Sequence, residues 1–396
     1  MSSDKVRILV ISDVHYAHEF RPGVLLHAGV KNMPKEQNPK SSIKKLISDA
    51  KAIGDNSFDV ECIVCPGDIT DRADPTGLQL GWSLLKDLAT LTNAKKLVAT
   101  IGNHDVDSRN SDPNLAFDII RNFSDDDYPI NDIRYIKPFW DDSFVIVELE
   151  NIIILVYNSS YDHLTTLSSA QSNIKLNKRN EIEQALNEYR ASSKIKMALC
   201  HHHPIPHQNQ PDTLISTPKD KDSMDGGPEF IQMLTKNGFN ILVHGHKHIP
   251  RYTEYQNFPI LGCGTFSSME NIGINGYMPA FHLIEIDKRT QRGVIKSWVY
   301  NSIEGWRQKN NMAFASSFGY GLTVKIEEMA GEISNWLSAL PVPSTRFKNL
   351  FENFPNIEYL NPDQQLTLSR ILLETYRIEL VPNFPSDPLQ IIHQYQ

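Results

Sequence analysis

The chain has 396 residues, 40% of them hydrophobic and 22% charged, which suits one large domain with additions, or two domains, each able to bury a core. A net charge of −8 and a pI near 6.0 give no general attraction to nucleic acid or anionic lipid. No apolar run reaches the roughly 18 to 20 residues of a membrane helix and no signal-peptide core precedes the first apolar run, so no membrane association and a cytosolic location are expected.

In chain order, the β-branched runs "VRILVIS" (6–12), "VECIVCP" (60–66), "KLVATIG" (96–102), "NIIILVYN" (151–158), "KIKMALC" (194–200) and "FNILVHG" (239–245) read as strands. Helix-like segments at 41–53, 78–91 and 179–191 lie between them, the pattern of an α/β protein whose sheet is covered on both faces. The later runs "FPILGCGTF" (258–266), "AFHLIEIDK" (280–288) and "GVIKSWVY" (293–300) lack intervening helices and are expected to form an antiparallel portion completing a second sheet. Three polar segments, 17–40, 105–142 and 204–228, follow strand ends and are candidate lids and specificity loops.

From about residue 301 the pattern becomes mostly helical. Ile326, Met329, Ile333, Trp336 and Leu340 recur at spacings of three and four, one face of an amphipathic helix. Asn361 before Pro362 predicts an N-cap and a first helical position. This region, with seven Lys/Arg against ten Asp/Glu, is expected to be an appendage at 301–396 on a domain at 1–300. Its apolar helix faces are equally explained by packing on the domain, by a protein partner or by homo-oligomerisation. Cys62, Cys65, Cys200 and Cys263 sit in or beside strand-like runs, which argues against a disulfide framework. Cys62 and Cys65 form a lone CxxC, a weak signal for redox or zinc chemistry.

Chemistry-bearing residues gather at the strand ends: "SDVH" (Asp13, His15), "PGDITD" (Asp68, Asp71), "GNHD" (Asn103, His104, Asp105), "CHHHP" (His201, His202, His203) and "HGHKH" (His244, His246, His248). Eight of the 14 histidines fall in these islands, which scattered core histidines would not do. Carboxylate, carboxamide and imidazole without thiolate suit Mn, Fe or Zn. Seven candidate ligands are too many for one tetrahedral zinc, whereas two ions sharing a carboxylate would use them all and clamp a phosphorus centre for in-line displacement.

The ordered series DxH, GDxxD, GNHD, HxP and GHxH resembles the calcineurin-like metallophosphoesterase superfamily over roughly residues 6–300, and "GDITD" and "GNHD" are similar to its class III cyclic-nucleotide phosphodiesterase branch. The resemblance implies a four-layer α/β/β/α sandwich. It implies one metal on Asp13, His15 and His248, a second on Asn103, His202 and His246, and Asp68 between them. It selects His202 as standing two residues before the proline, with His201 and His203 as neighbours. It further implies attack on phosphorus by a metal-bridging hydroxide, with His104 binding phosphate and assisting the leaving group. Asp105 either orients His104 or is an exposed loop carboxylate. Asn103, His104 and His203 are the expected substrate contacts. Asp71 is expected to fix the loop or a ligand histidine, His244 to be packed or to support a ligand, and His18 and His207 to lie in lids.

The expected activity is that of a dimetal phosphodiesterase on a cyclic nucleotide or another small nucleotide-like diester, with a metal-dependent nuclease as the alternative. A nuclease should carry a basic groove. Segment 204–228 instead sets Lys219 and Lys221 against Asp212, Asp220, Asp222 and Asp225. A binding scaffold that had lost its chemistry would lack ligands, and every expected position is filled.

Overall fold

A computed structural model describes residues 4–26, 38–108, 112–123, 127–164, 172–206, 222–269, 276–312, 314–386 and 388–393. Two sheets face one another. The first runs, in spatial order, Gly305–Gln308, Gly293–Asn301, Ala280–Asp287, Lys5–Val10, Cys62–Cys65 and Lys96–Ala99, with Ser317–Tyr320 also pairing to Gly293–Asn301. The second runs Phe144–Glu148, Ile152–Tyr157, Ile195–Leu199, Ile241–His244, Phe258–Cys263 and Pro250–Tyr255. One apolar cluster, including Ile8, Leu9, Val64, Val98, Ile154, Met197 and Val243, fills the space between them. Strands buried on both faces explain the unbroken apolar runs of the sequence.

Helices Pro39–Ala52 and Pro75–Leu91 accompany the first sheet, each with Pro in its first turn behind an N-cap, Asn38 or Asp74, whose side chain accepts a backbone N–H. Helices Leu176–Leu186 and Gly227–Lys236 close a second cluster with Ile182, Leu186, Phe230 and Leu234. The four-layer α/β/β/α sandwich follows.

The late strands differ from expectation. Phe258–Cys263 lies parallel to Ile241–His244 in the second sheet. Ala280–Asp287 and Gly293–Asn301 join the first sheet, antiparallel, beside Lys5–Val10. Hydrophobic alternation specifies that a segment is a strand but not which sheet edge receives it. Within the segment read as a lid at 105–142, helix Ile133–Asp142 starts at an Asp132 N-cap and packs against Phe144–Glu148.

Past residue 300 the chain supplies two more strands to the first sheet before a third apolar cluster begins at Leu322. Helix Ile326–Ser338 buries Ile326, Met329 and Ile333, and helix Pro362–Tyr376 starts with a full capping box between Asn361 and Gln364. The region also holds a three-stranded antiparallel sheet, Ser344–Arg346, Gln390–His393 and Ile378–Val381, with the last strand in the centre. Helix, strand, two helices, then two strands, with the final strand central, is the topology of a winged helix. Among the described residues no helix is long and apolar enough to cross a membrane.

Candidate metal centre

The first sheet delivers Asp13, His15, Asp68 and Asn103 on the turns that follow Lys5–Val10, Cys62–Cys65 and Lys96–Ala99. The second delivers His201, His246 and His248 on turns following Ile195–Leu199 and Ile241–His244. Because those strands are parallel within each sheet, their carboxyl ends share one edge, and the turns converge there. The approach is close enough to leave no room for side chains at two glycines. A Cβ on Gly102 would stand 2.1 Å from Asp68 Oδ1, and one on Gly245 would stand 2.5 Å from Asp13 Oδ2. Asp13, His15, Asp68, His246 and His248 all hold positive φ, between 46° and 80°. Non-glycine residues adopt that conformation at a cost of order 1–3 kcal/mol, and it collects at sites where side chains are aimed for a purpose.

Asp13, His15, Asp68 and His248 form one group whose ligand atoms lie within 4.8 Å of one another. The Nε2 atoms of His15 and His248 are 2.8 Å apart, His15 Nε2 is 3.6 Å from Asp68 Oδ2, and His248 Nε2 is 3.5 Å from Asp13 Oδ1. On the other side, Asn103 Oδ1 lies 2.9 Å from both His201 Nε2 and His246 Nδ1, and His201 Nε2 is 3.4 Å from Asp68 Oδ2. Asp68 Oδ2, buried and without a hydrogen bond, thus stands between the two groups. A buried carboxylate oxygen without a donor is costly, and a cation at either group would remove that cost. The oxygen and imidazole donors, with no thiolate among them, fit hard-to-borderline divalent ions.

His201 Nε2 faces Asn103 and Asp68, and His202, the expected ligand, forms with His201 and His246 a second group whose ligand atoms lie within 4.8 Å of one another. Ser159 Oγ accepts the backbone N–H groups of His201 and His202, at 3.1 and 3.0 Å, and lies 2.9 Å from His202 Nδ1. His202 Nε2 is buried and has no hydrogen-bond partner. His201 Nδ1–H donates to the Pro66 carbonyl at 2.8 Å, freeing the Nε2 lone pair. Donation of the second ring N–H to a backbone carbonyl is what metal-bound histidines ordinarily do. Counting from strand ends carries this signal in the sequence, because His201 and His246 each stand two residues past their strands.

Burial opposes charge throughout the pocket. It pushes His202, His246 and His248 well below the ordinary imidazole range, with neighbouring histidines adding to the effect. At His201 burial is overridden chiefly by Asp68, which raises that ring to about 9. Asp68 is itself held well below the carboxylate range against its burial, first by His201 and then by His104.

Asp105 fixes the loops, and Asp71, beside the ligand candidate His15 as expected, also takes the part of orienting His104. Asp105 is completely buried and accepts the backbone N–H groups of Asp68, Thr70 and Gly102 at 2.9, 3.0 and 2.8 Å. It ties the "GDIT" turn to the "GNHD" turn and is neither exposed nor bonded to the His104 ring. Burial and the nearby Asp68 push its carboxyl up to about 7 against those donors. Asp71 holds His104, whose Nδ1 lies 3.0 Å from Asp71 Oδ1, and stands 3.6 Å from His15 Nδ1. Asp71 also receives Arg21 Nη1, a partner that no sequence motif announced. His104 donates its backbone N–H to Asp68 Oδ1 at 2.7 Å, and its side chain is 30% exposed.

His203, expected to meet substrate, is fully buried and stacks on the His246 ring with centroids 5.8 Å apart. His244 is a packed ring with Nδ1 3.0 Å from the Gly245 carbonyl. His18 is exposed, and its backbone N–H reaches Asp74. His207 and the charged run 212–221 lie outside the described residues.

Among solved structures the chain is similar to a dimetal phosphatase from Danio rerio, with 10% identity over 80% of this chain and 99% of that one and a TM-score of 0.48. It is also similar to purple acid phosphatase PPD1 from yellow lupin, with 14% identity over 81% of this chain and 54% of that one and a TM-score of 0.46. A third likeness is to Vps29 from Chaetomium thermophilum, with 12% identity over 76% of this chain and 93% of that one and a TM-score of 0.32. No curated protein matches the sequence. The family model for calcineurin-like phosphoesterases matches residues 6–250, a span that takes in every turn converging on Asp68. The chain belongs to the calcineurin-like phosphoesterase family.

Proposed function

We propose that this protein is a phosphodiesterase acting on a small nucleotide-like diester. Asp13, His15, Asp68 and His248 would hold one divalent ion, and Asp68, Asn103, His201 and His246 the other, with Mn, Fe and Zn all suited to the donors. Bound there, the ions would supply a nucleophile from water at neutral pH and neutralise charge on the phosphate. The observation that carries the reading is the convergence of both groups on one unsatisfied oxygen, Asp68 Oδ2. His104 stands beside the first group, with Nδ1 on Asp71 and its ring 4.7 Å from that of His15.

The chain's own residues divide the work. Asn103 and His104 meet the phosphate, Asp71 fixes the His104 ring through Nδ1, and His104 Nε2 passes a proton to the departing oxygen as the phosphorus–oxygen bond breaks. Asp105 holds the two loops in register. The similarity of "GDITD" and "GNHD" to the cyclic-nucleotide branch supports a diester over other phosphoesters. Four free, buried cysteines support a reducing, cytosolic setting.

The test is a turnover screen of Mn-loaded protein over bis(4-nitrophenyl) phosphate, 4-nitrophenyl phosphate, cyclic nucleotides and labelled single- and double-stranded DNA and RNA. Hydrolysis of the diester and a cyclic nucleotide, lost in Asp68→Ala, is expected. Preference for the monoester would overturn the diesterase reading, and scission of strands would replace it with the nuclease.

A further inference from the structure

We infer that Arg21 selects substrates whose leaving group carries an oxyanion of its own, a phosphate or a carboxylate. The inference rests on the diesterase reading for the identity of the leaving-group side, which His104 marks.

Arg21 lies in the turn after the "SDVH" strand end, and its position is fixed from both sides. Ala17 N–H donates to Leu26 O at 3.0 Å, Leu25 N–H to Ser267 O at 2.9 Å, and Met269 N–H to Gly23 O at 2.6 Å. Thr265, in the same neighbouring segment, donates its hydroxyl to the Asp13 carbonyl at 2.8 Å. The turn is therefore braced against the backbone of a residue proposed to hold metal, and Arg21 does not sit on a loose arm.

The side chain then reaches Asp71. Both of its bonds there, to the carboxylate and to the backbone carbonyl at 3.4 Å, are made by Nη1. Nε and Nη2 make no further hydrogen bond among the described residues, and the side chain is 27% exposed. A guanidinium anchored by one amino group, with the remaining donors unspent, can still receive two oxygens of an oxyanion side by side. Asp71 places this cation next to the His104 ring, because one carboxylate takes His104 Nδ1 on Oδ1 and Arg21 Nη1 on Oδ2. A leaving group held at His104 whose substituent extends past the ring to Asp71 would meet Arg21 there.

Two other cations near the rim fit less well. Lys247, between His246 and His248, is turned to Asp222 Oδ2 at 2.5 Å. Arg72 Nε lies 3.9 Å from Asp71 Oδ2, but its side chain is 60% exposed, so water screens it.

The test uses matched phosphodiesters: methyl 4-nitrophenyl phosphate and the analogues bearing a 3-carboxylate or a 3-phosphonate on the nitrophenyl ring. The metal-loaded wild type should turn over one or both anionic esters with at least tenfold higher kcat/KM than the neutral one. In Arg21→Ala all rates should fall, because Asp71 loses a partner, yet the preference should vanish. Arg21→Lys should keep part of it, and Arg72→Ala all of it. The anion that gains more from Arg21 names the class. Equal slowing of all three esters in Arg21→Ala, or no preference in the wild type, would overturn the inference and leave Arg21 as a positioning residue for Asp71.

Calorimetric binding of phenylphosphonate and 3-carboxyphenylphosphonate separates this result from the diesterase reading, since it needs no turnover. Tighter binding of the carboxylated ligand that disappears in Arg21→Ala upholds Arg21's role even in a protein that hydrolyses no diester. Hydrolysis without that Arg21-dependent difference in affinity upholds the diesterase and removes the role.

Discussion

At the strand ends of the sandwich, Asp13, Asp68, Asp105, His201, His202 and His203 are buried almost completely, and Asp13 and Asp68 sit on backbone with positive φ. In the C-terminal region around Leu350, Leu368 and Leu372, the cluster is apolar and helix Pro362–Tyr376 starts with a full capping box. One region carries buried charge, imidazoles forced neutral and glycines that tolerate no Cβ. The other follows hydrophobic pattern along its main helices, with few exceptions such as the buried Gln365 Oε1. The first is arranged for chemistry at the expense of local stability, and the second carries fewer such conflicts. Substitutions should therefore separate cleanly: in the first region they should change metal content and turnover, and in the second they should change only stability.

The largest effect is expected at Asp68. Asp68→Ala should lower turnover by about 10³-fold or more, the scale of a lost clamp on the reacting phosphate, and reduce bound metal from two ions per chain as read by elemental analysis. Gly102→Ala should do nearly the same from outside the ligand set, because its methyl would displace the Asp68 carboxylate. A Gly102→Ala protein with full metal content and activity would show that the packing at this turn is not needed.

Leu368→Ala should destabilise the C-terminal region by about 2–5 kcal/mol, the range for large-to-small changes in a closed core. Denaturant unfolding would measure it, with turnover of bis(4-nitrophenyl) phosphate unchanged. A matching loss of activity would mean that the two regions are coupled.

The pair His201→Ala and His202→Ala should differ in metal affinity by about ten- to a hundredfold, with His201→Ala the weaker binder. Titration of apo-protein with Mn or Zn measures it, and the reverse order would return the ligand role to His202. The smallest effect is expected at the helix cap: Asn361→Ala should cost about 1 kcal/mol of stability and leave metal binding alone.

The strand ends that bear the ligands were legible because each requirement is local. A parallel strand buried on both faces must be an apolar run, and ligands on the turn behind it must be polar, so "VRILVISDVH" and "LVHGHKH" declare both. The helix beginning at Pro362 was legible for the same reason, since its cap and first turn lie within four residues. The small sheet of the C-terminal region was not. Ser344–Arg346 is three residues long with little hydrophobic alternation, and it becomes a strand only by pairing with Gln390–His393, more than forty residues on.

The amino-acid order by itself determined the polar identity of the site and the type of donor it offers, because composition and spacing along one strand and its turn suffice for these, and the ordered series of motifs carried the resemblance that implied the fold family. Which of three consecutive histidines turns inward, which aspartate holds His104, and that Arg21 stands beside it were decided only in three dimensions. Each depends on a partner far away in sequence, Pro66 and Asn103 for His201, Asp71 for His104 and Arg21. A side chain's direction and its hydrogen-bond partner are set by what packs across from it, and the residues alongside it in the chain do not carry that information.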